Sequence, residues 1–423
     1  MAPGPRLISR TEVLARRLAA RWLIPIEGDP IESGAILIGS DGRVQEVGHD
    51  ANVSRPEGVP SHSWEDAAIL PGFVNTHTHL ELTGFADRIQ ETEFASWIRQ
   101  LRQLKTTRTA EEYLIAARQG LADCYAAGVT TVADTGDSGA VCLALAEAGA
   151  SGIAYQEVFG PHPDQAEPSF AELRARVLEL QNRASMRLRI GVSPHAPYTV
   201  SGRLFRLVAE WARAENLCMA VHIAESAAEK QFLSAGTGPF AEAWRSRGIP
   251  LPQPLGKTPV DWLAEHGVLS ERCLCIHAVQ VDSADIERLA RSGAAVAHCP
   301  LSNRAHQHGA APLEQFLKAG IRVGLGTDSV VSVGRLDLLA EARAARHLAP
   351  LNAGDLLSLC TLGGARAIGL ERETGSLVPG KWADCVVIRL PRDRGRVLEE
   401  IASSSPADVL LTCVGGKEVY RSV

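Results

Sequence analysis

The sequence predicts an α/β fold in which a (β/α)8 barrel, the TIM-barrel architecture, is joined to a small composite β-sandwich domain built from both termini. Eight short apolar runs recur through the middle of the chain, and helix-like stretches separate most of them. Such runs, apolar on both faces, are typical of buried parallel strands, and eight strand-then-helix units favour a closed barrel. An open doubly wound sheet is the alternative, but no G-x-G-x-x-G follows the first run.

The predicted barrel covers residues 67–373. Its eight strand-like runs are Ala68–Asn75, Gly128–Ala133, Gly152–Tyr155, Leu188–Ser193, Cys218–Val221, Cys273–Ile276, Ala294–Ala297 and Ile321–Gly326. The predicted crossover helices include Glu111–Ala127, Phe170–Arg183, Gly202–Glu215, Ser283–Ser292 and Pro312–Gly320. Several of them have a glycine near the C-terminal end, where a helix commonly stops.

The two ends of the chain have a different pattern. Residues from about Trp22 to Asp66 alternate apolar and polar side chains between Gly and Asp turns, and so do residues from about Thr374 to Val423. Each segment is too short to bury a core alone, so we expect them to pair. Residues 1–66 and 374–423 are therefore predicted to be the two parts of one small β-domain.

Composition and charge exclude several classes of protein. Hydrophobic residues make up 45% and charged residues 22%, which is ordinary for a globular chain. The 43 Lys and Arg against 49 Asp and Glu give a net charge of −6, and the charges are scattered, so nucleic acid is not an expected partner. The apolar runs fall far short of the ~20 residues that cross a membrane.

Two further features suggest a cytoplasmic location. The first residues, Met1–Arg17, lack the long apolar run and small-residue cleavage site of a signal peptide. The nine cysteines are an odd number and form no recognisable disulfide framework, so most are expected to be buried as small hydrophobic residues.

Residues that can bind a divalent metal stand at the ends of the predicted strands. They are His77 and His79 after the first, and His222, His277, His298 and Asp328 after the fifth to the eighth. In a strand, residues i and i+2 point to one side, so two histidines two apart can reach one ion at the barrel mouth. Imidazoles with one carboxylate suit Zn2+ or another first-row metal that activates a water molecule.

The candidate ligands are His77, His79, His222 and Asp328. Glu225, three residues after His222, can exchange a proton with a leaving group or a ring nitrogen. For His298, packing or support of the ligands is favoured over ligation. His306 and His308 have the character of loop residues, either solvated or at the edge of a substrate site.

Five segments together resemble the amidohydrolase superfamily, in its aminohydrolase branch. They are Pro71-Gly-Phe-Val-Asn-Thr-His-Thr-His79, Pro194-His-Ala-Pro-Tyr-Thr-Val-Ser201, Val221-His-Ile-Ala-Glu225, His298-Cys-Pro-Leu-Ser-Asn303 and Gly324-Leu-Gly-Thr-Asp-Ser329. The resemblance runs in order from about Leu18 to Val423.

The resemblance implies one Zn2+ per subunit, with Fe2+ or Mn2+ as alternatives, held by His77, His79, His222 and Asp328. It also implies three catalytic residues. Glu225 protonates a substrate ring nitrogen, His277 orients the water or polarises the attacked centre, and Asp328 takes the proton of the water. The implied reaction is hydrolytic deamination of an amidine-like carbon in a small-molecule substrate. A homodimer or a higher homo-oligomer is expected only from the resemblance.

Within this branch, the sequence looks most like the aminodeoxyfutalosine deaminases of menaquinone biosynthesis, which act on the 6-amino group of an adenine nucleoside. The segments that support this are Leu80-Glu-Leu-Thr83, Phe94-Ala-Ser-Trp-Ile98 and Cys299-Pro-Leu-Ser-Asn-Arg304. The candidate substrate-binding residues are Glu81, Trp97, Glu157, His195, Ser302, Asn303 and Arg304. For each of them a loop or packing role is an equal alternative.

Two departures leave the substrate open. The segment Ser329-Val-Val-Ser-Val-Gly-Arg335 lacks the Asn that often follows the aspartate in this branch. No acidic residue lies between Glu93 and Glu111, so the glutamate with which adenosine-type relatives hold the ribose hydroxyls is missing there. The alternatives are deamination of S-adenosylhomocysteine, methylthioadenosine or a free base, and hydrolysis of a triazine-type chloride or alkylamine. A catalytically silent relative is disfavoured, because every ligand position is filled.

Overall fold

The computed structural model describes residues 14–91, 93–391 and 396–422. The predicted cytoplasmic location rests partly on the stretch Met1–Arg17. Residues 1–13 of that stretch lie outside the described residues. Across the described ranges, no helix combines the length and the hydropathy that a bilayer crossing needs. All nine cysteines fall within them, and each is buried and free, as the sequence predicts.

The chain starts with four strands of a terminal sheet. They are β1 (Arg16–Leu23), β2 (Ile31–Ile38), β3 (Val44–His49) and β4 (Ser61–Pro71). β1 pairs antiparallel with β2 and parallel with β4, and β2 pairs antiparallel with β3.

Eight parallel strands then form a second sheet whose spatial order follows the chain. They are β5 (Phe73–Thr78), β6 (Val129–Gly136), β7 (Ser151–Val158), β8 (Leu188–Pro194), β9 (Met219–Ile223), β10 (Cys273–His277), β11 (Ala295–His298) and β12 (Val323–Leu325). The predicted TIM-barrel architecture is confirmed. A buried apolar cluster that includes Val74, Ile153 and Leu274 fills part of its interior.

Helices separate the barrel strands and follow the last one. They are α1 (Phe94–Lys105), α2 (Ala110–Ala126), α3 (Ala140–Ala148), α4 (Ala166–Gln181), α5 (Gly202–Ala214), α6 (Ala227–Ala235), α7 (Pro239–Arg245), α8 (Pro259–Glu265), α9 (Ser283–Ser292), α10 (Pro300–Ala305), α11 (Leu313–Lys318), α12 (Val330–Val333), α13 (Leu338–Ala345), α14 (Ala353–Cys360), α15 (Leu362–Ala367) and α16 (Val397–Ser403). Short 3-10 helices span Leu80–Phe85, Pro163–Gln165 and Pro406–Asp408. Side-chain caps fix several starts, such as the capping box of Thr109 and Glu112 at α2.

The C-terminal segment completes the terminal sheet. Its strands are β13 (Cys385–Arg389), β14 (Val409–Val414) and β15 (Lys417–Arg421). β13 pairs antiparallel with β4, which gives one seven-stranded mixed sheet in the order β15-β14-β13-β4-β1-β2-β3. Apolar residues of both terminal segments, such as Leu18, Ile36, Val387 and Leu411, pack into one cluster. The small β-domain built from both termini is thus present, and its boundaries at residues 66 and 373 stay predictions.

The predicted run Ala68–Asn75 is wrong as a single strand. The chain leaves the terminal sheet and enters the barrel at Gly72, between β4 and β5. The N–H of Gly72 donates to the carbonyl of Asp384, just before β13, at 2.9 Å. A Cβ at residue 72 would lie 2.1 Å from Cγ2 of Thr130, so only glycine lets the chain pass this point without displacing its neighbour.

The barrel closes where its first and last strands meet. Thr78 at the end of β5 forms a parallel bridge with Asp328, and the N–H of Asp328 donates to the carbonyl of His77 at 3.0 Å. The side chain of Asn75 bonds both the hydroxyl and the N–H of Thr327 nearby. Closure therefore brings residues about 250 positions apart to one place at the C-terminal ends of the strands.

Candidate metal centre and active site

His77 at the end of β5 and His79 just after it lie close to Asp328, which follows β12, the last strand of the barrel. Nε2 of His77 and Nε2 of His79 each lie 3.6 Å from Oδ1 of Asp328. The two histidines thus point to the same side, as their spacing predicts. These three residues form a group whose ligand atoms all lie within 4.8 Å of one another.

His222 and His277 complete the cluster from β9 and β10. The ring centroid of His77 lies 4.9 Å from that of His222 and 5.7 Å from that of His277. His79 and His222 stack with their centroids 5.4 Å apart. His77, His222 and His277 form a second group within 4.8 Å, so His77 links the two.

The donor set suits a metal ion. Nε2 of His77, which faces Asp328, is fully buried and has no hydrogen-bond partner in the described part of the chain, and a bound cation would satisfy it. Nδ1 of His79 lies 2.7 Å from the carbonyl of Thr135, which orients the ring and leaves Nε2 available. Burial lowers the pKa of His77 to about 4, so the ring is neutral and able to ligate near neutral pH.

Asp328 is held in a strained conformation beside these histidines. Its φ of 58° lies in the left-handed region, which is unusual outside glycine and costs energy that surrounding contacts must offset. The N–H of Ser329 donates to Oδ1 at 2.7 Å, and the hydroxyl of Ser302 donates to Oδ2 at 2.5 Å. Although burial raises the pKa of Asp328, His77 and its neighbours hold it well below the usual range.

Glu225 lies in the same cavity as a buried carboxylate with three polar neighbours. Oε1 lies 3.5 Å from Nε2 of His277 and 3.3 Å from Nε2 of His308, and the hydroxyl of Tyr198 donates to Oε2 at 3.4 Å. Burial raises its pKa, but the charges of His277 and His308 outweigh this and lower the pKa to about 2. Glu225 is therefore an ionised proton acceptor poised beside the histidine cluster.

A second buried glutamate holds the turn that carries Glu225. Oε1 of Glu229 accepts from the N–H of Ala224 at 3.0 Å, and Oε2 accepts from the N–H of Glu225 at 2.9 Å. The turn needs this support because Ala224 has a φ of 49°. Burial raises the pKa of Glu229 to about 8, although its backbone donors oppose the rise.

His277 is oriented by a residue of α10, the helix that follows β11. Its Nδ1 lies 3.0 Å from the amide oxygen of Asn303, which turns Nε2 toward Glu225. Asn303 and Ser302 are buried, and Arg304 is exposed on α10, where it lines neighbouring surface grooves. The structure therefore places none of these three predicted substrate-binding residues in the cavity lining. Ser302 and Asn303 instead contact Asp328 and His277.

The cavity at the barrel mouth contains most of the remaining predicted residues. His79, His222, Glu225, His277 and Asp328 line it, together with Trp97, Glu157 and His195. His77 lies beneath them, fully buried. Burial raises the pKa of Glu157 to about 8, and its Oε1 has no hydrogen-bond partner in the described part of the chain, so it is available to a ligand.

Glu81 does not line this cavity. Oε1 of Glu81 accepts from Nζ of Lys105 at 3.0 Å, and its other oxygen accepts from the hydroxyl of Ser138. Lys105 also binds Asp137 at 2.5 Å. These contacts tie α1 to the loop after β6, which favours the structural alternative that the sequence left open for Glu81.

Several residues of the cavity are not identified by the sequence. Lys105, Arg102 and Tyr198 line it. His308, which the sequence predicts to be a loop residue that is solvated or at the edge of a substrate site, is instead buried and contacts Glu225. None of them ends a strand-like run, so strand-end position, which led to the ligands, gives no signal for them. For Arg102 and Lys105 the one available clue is helical spacing, since they recur on one face of α1 with Ile98 and Leu101.

Comparison with known proteins places the chain among hydrolases. The model described as "Amidohydrolase family" matches residues 68–419. The chain is 34% identical to the aminodeoxyfutalosine deaminase of Deinococcus radiodurans, covering 79% of this chain and 81% of that protein. It is 30% identical to the 5-methylthioadenosine/S-adenosylhomocysteine deaminase of Symbiobacterium thermophilum, covering 94% and 92%. An adenosine deaminase from Xanthomonas campestris with bound zinc superposes with a TM-score of 0.84 at 25% identity, over 96% of this chain and 92% of that one.

Proposed function

Because the chain belongs to the amidohydrolase family, we propose that it is a zinc-dependent aminohydrolase that converts the 6-amino group of an adenine-type nucleoside to a 6-oxo group and releases ammonia. The observation that carries the proposal is the position of Glu225. This buried carboxylate faces the cavity beside His277 and the His/Asp donor set, where a ring nitrogen and a leaving amine would need a proton carrier.

The proposed ligands are His77, His79, His222 and Asp328. When bound, zinc lowers the pKa of a water molecule and so supplies a nucleophile near neutral pH. Thr135 and the backbone of residue 195 fix the outer ring nitrogens of His79 and His222, which orients both rings before the ion arrives.

The chain's own residues manage the protons. The attacking water supplies both protons. Glu225, ionised at rest, accepts one of them on Oε1 and passes it to the ring nitrogen. Asp328, also ionised, takes the other on Oδ1 and passes it to the leaving amine, while the hydroxyl of Ser302 holds Oδ2. His277, fixed by Asn303, orients the water and polarises the attacked carbon. Burial of all three excludes bulk water from these transfers.

For the substrate we propose aminodeoxyfutalosine, which would give the enzyme a role in menaquinone biosynthesis. The support is the resemblance around Leu80–Thr83 and Phe94–Ile98 and the 34% identity with a relative of that name. S-adenosylhomocysteine or methylthioadenosine is the second candidate, favoured by a relative that is 30% identical over nearly the whole chain. A cytoplasmic location and a homo-oligomeric state stay predictions.

Ammonia release by zinc-loaded protein tests the proposal. The panel contains aminodeoxyfutalosine, methylthioadenosine, S-adenosylhomocysteine, adenosine, guanine, cytosine and a chlorinated triazine. We expect turnover of the adenine nucleosides, with aminodeoxyfutalosine fastest. E225Q should lower kcat by about a hundredfold or more while zinc content stays unchanged, because general acid–base groups contribute about 10² to 10⁴ in rate. H222A should lose both zinc and activity.

Two results would contradict these assignments. Ammonia from guanine or cytosine alone, or chloride from the triazine alone, would move the enzyme to another branch of the family. H222A with full zinc content and turnover would show that the ligand set is wrong.

A further inference from the structure

Helix α1 presents one continuous face to the cavity. Its lining side chains recur at helical spacing, and they are Phe94, Trp97, Ile98, Leu101, Arg102 and Lys105. The aromatic end of this face packs near the catalytic carboxylate. The Phe94 ring lies 4.4 Å from that of His308, whose Nε2 contacts Glu225. The other end of the face is cationic.

The two cations on this face differ in their partners. Nζ of Lys105 is shared by Glu81 and Asp137, at 3.0 and 2.5 Å. The guanidinium of Arg102 has neither a hydrogen bond nor an ion pair with any residue that the structure describes, although it lines the cavity. Arg102 is exposed, so it meets the solvent-filled end of the cavity rather than the buried histidine cluster.

None of the carboxylates that line the cavity forms an ion pair with Arg102 in the described part of the chain. Glu225 lies beside His277 and His308, and Asp328 lies beside His77 and His79. Glu157, the remaining lining carboxyl, is buried and its Oε1 has no hydrogen-bond partner in the described part of the chain, so it does not pair with Arg102 either. Arg102 is therefore a cation in the substrate site that no carboxylate of the described chain satisfies, and a planar guanidinium is suited to bidentate binding of a carboxylate.

The helix also sets where such an anion would lie. Arg102 is eight residues beyond Phe94, or about 12 Å along the helix axis at a rise of 1.5 Å per residue. Arg102 is exposed whereas Glu225 is buried, so an anion bound by Arg102 would lie at the outer part of the cavity and the reacting ring at its buried part. Such an anion matches the end of an extended nucleoside substituent rather than the base.

We propose that Arg102 binds a carboxylate at the end of the substrate remote from the deaminated ring, so that the enzyme selects adenine-type nucleosides with an anionic tail over neutral ones. The inference rests on the proposed function and narrows its substrate class. Within the second candidate pair, it favours S-adenosylhomocysteine, which carries a carboxylate, over methylthioadenosine, which does not.

Two matched probes isolate the charge. The first is 5′-S-(2-carboxyethyl)-5′-thioadenosine, and the second is its primary amide, which has the same length but no charge. In the unaltered enzyme we expect KM for the carboxylate to be at least tenfold lower than for the amide. R102Q should raise KM for the carboxylate about tenfold or more, while KM for the amide changes less than twofold. R102K should recover part of the difference.

Arg99 provides the control on the same helix. It is exposed, its guanidinium donates to Ser96, and it does not line the cavity. R99Q should therefore leave both KM values unchanged. Raising the ionic strength should raise KM for the carboxylate probe and leave KM for the amide unchanged, because exposed charge pairs are screened by salt.

The outcomes separate the inference from the proposed function. Ammonia from both probes with equal KM values, or an equal effect of R102Q on both, would overturn the role of Arg102 and leave the deaminase proposal standing. An effect of R99Q as large as that of R102Q would also overturn it, since the response would then be to general helix charge. No ammonia from any adenine nucleoside would overturn the proposed function, and the inference with it.

Discussion

Among single residues, Glu229 has a role that its position in the sequence does not reveal. Its two oxygens each accept a backbone N–H from the turn that places Glu225, and its exposed fraction is 0%. Glu229 does not itself line the cavity. It is therefore a positioning residue, and its effect on catalysis acts through the geometry of Glu225.

E229Q should lower both kcat and stability. The glutamine amide group would replace one accepting oxygen with a donor, leaving one buried N–H unpaired at a cost of about 1–3 kcal/mol. We expect kcat to fall about tenfold or more with little change in KM, because the substrate contacts are intact. Steady-state kinetics and urea unfolding measure the two effects. E242Q, an exposed change on α7, is the control and should alter neither.

The stability difference should also depend on pH. The folded pKa of Glu229, about 8, lies above the ordinary value of 4.5. Its contribution is therefore fully present below about pH 4.5 and is lost as the pH rises through 8. The deficit of E229Q should be largest near pH 5 and narrow by pH 8, as shown by urea unfolding at both pH values. A constant deficit would contradict a raised pKa at this site.

The sequence predicted residues whose chemistry is local and missed those that depend on packing. His77 and His79 follow from a two-residue spacing at a strand end, and Asp328 meets them because the barrel closes. His308 becomes a neighbour of Glu225 only through the path of the loop after α10, and nothing in its spacing indicates that contact. The contacts of Ser302 with Asp328 could not be told from substrate binding for the same reason.

At the scale of elements, α1 forms one wall of the candidate substrate cavity. Its start is capped by Glu93, whose carboxylate accepts from the N–H groups of Ala95 and Ser96 at 3.0 and 2.8 Å. The indole of Trp97 packs edge-on to the ring of His306, with centroids 4.6 Å apart. His306 in turn bonds Ser332 on α12, so Trp97 joins three parts of the cavity wall.

W97A should weaken substrate binding more than it slows chemistry. Loss of the indole would open the cavity to water and release His306, so we expect KM to rise about tenfold and kcat to fall less than threefold. W97F is the matched variant, because it keeps an aromatic ring against His306, and it should retain KM within about threefold. Steady-state kinetics on one nucleoside give KM and kcat for both variants and the unaltered enzyme. Equal KM values for W97A and W97F would mean that the aromatic contact is not needed.

The elements themselves were largely predictable from apolar runs and helix stops. The runs at Leu188–Ser193 and Cys273–Ile276 are matched by β8 and β10, because buried parallel strands are apolar on both faces. The run Ala68–Asn75 gave the wrong element because apolarity does not show where a chain passes from one sheet to another. That passage depends on the close approach of Gly72 to Thr130, which is a tertiary contact.

At the scale of the whole molecule, a buried ion pair connects the barrel to the terminal sheet. Oδ1 of Asp384 accepts from Nη2 of Arg187, just before β8, at 2.5 Å, and from the N–H of Gly415 at 2.7 Å. Oδ2 accepts from the hydroxyl of Thr374 at 2.9 Å. The guanidinium of Arg187 also lies over the Trp382 ring. This junction lies at the N-terminal end of a barrel strand, the end opposite the candidate active site.

D384A should destabilise the protein without altering the active site. The substitution leaves the guanidinium of Arg187, whose side chain is 12% exposed, without its carboxylate, and loss of one partner of a buried pair costs about 3–5 kcal/mol. We expect that loss in the free energy of unfolding measured with urea. At 25 °C, kcat per folded molecule should be unchanged, since the variant residue lies at the far end of the barrel.

E147A is the matched control for this junction. Glu147 pairs with Arg118, but both side chains are more than 40% exposed, and such pairs contribute about 1 kcal/mol or less. If D384A and E147A lost the same small free energy, the junction would not hold the two sheets together. If D384A instead lowered kcat of the folded protein, the terminal sheet would have to influence the strand ends at the barrel mouth, which the position of Asp384 at the opposite end argues against.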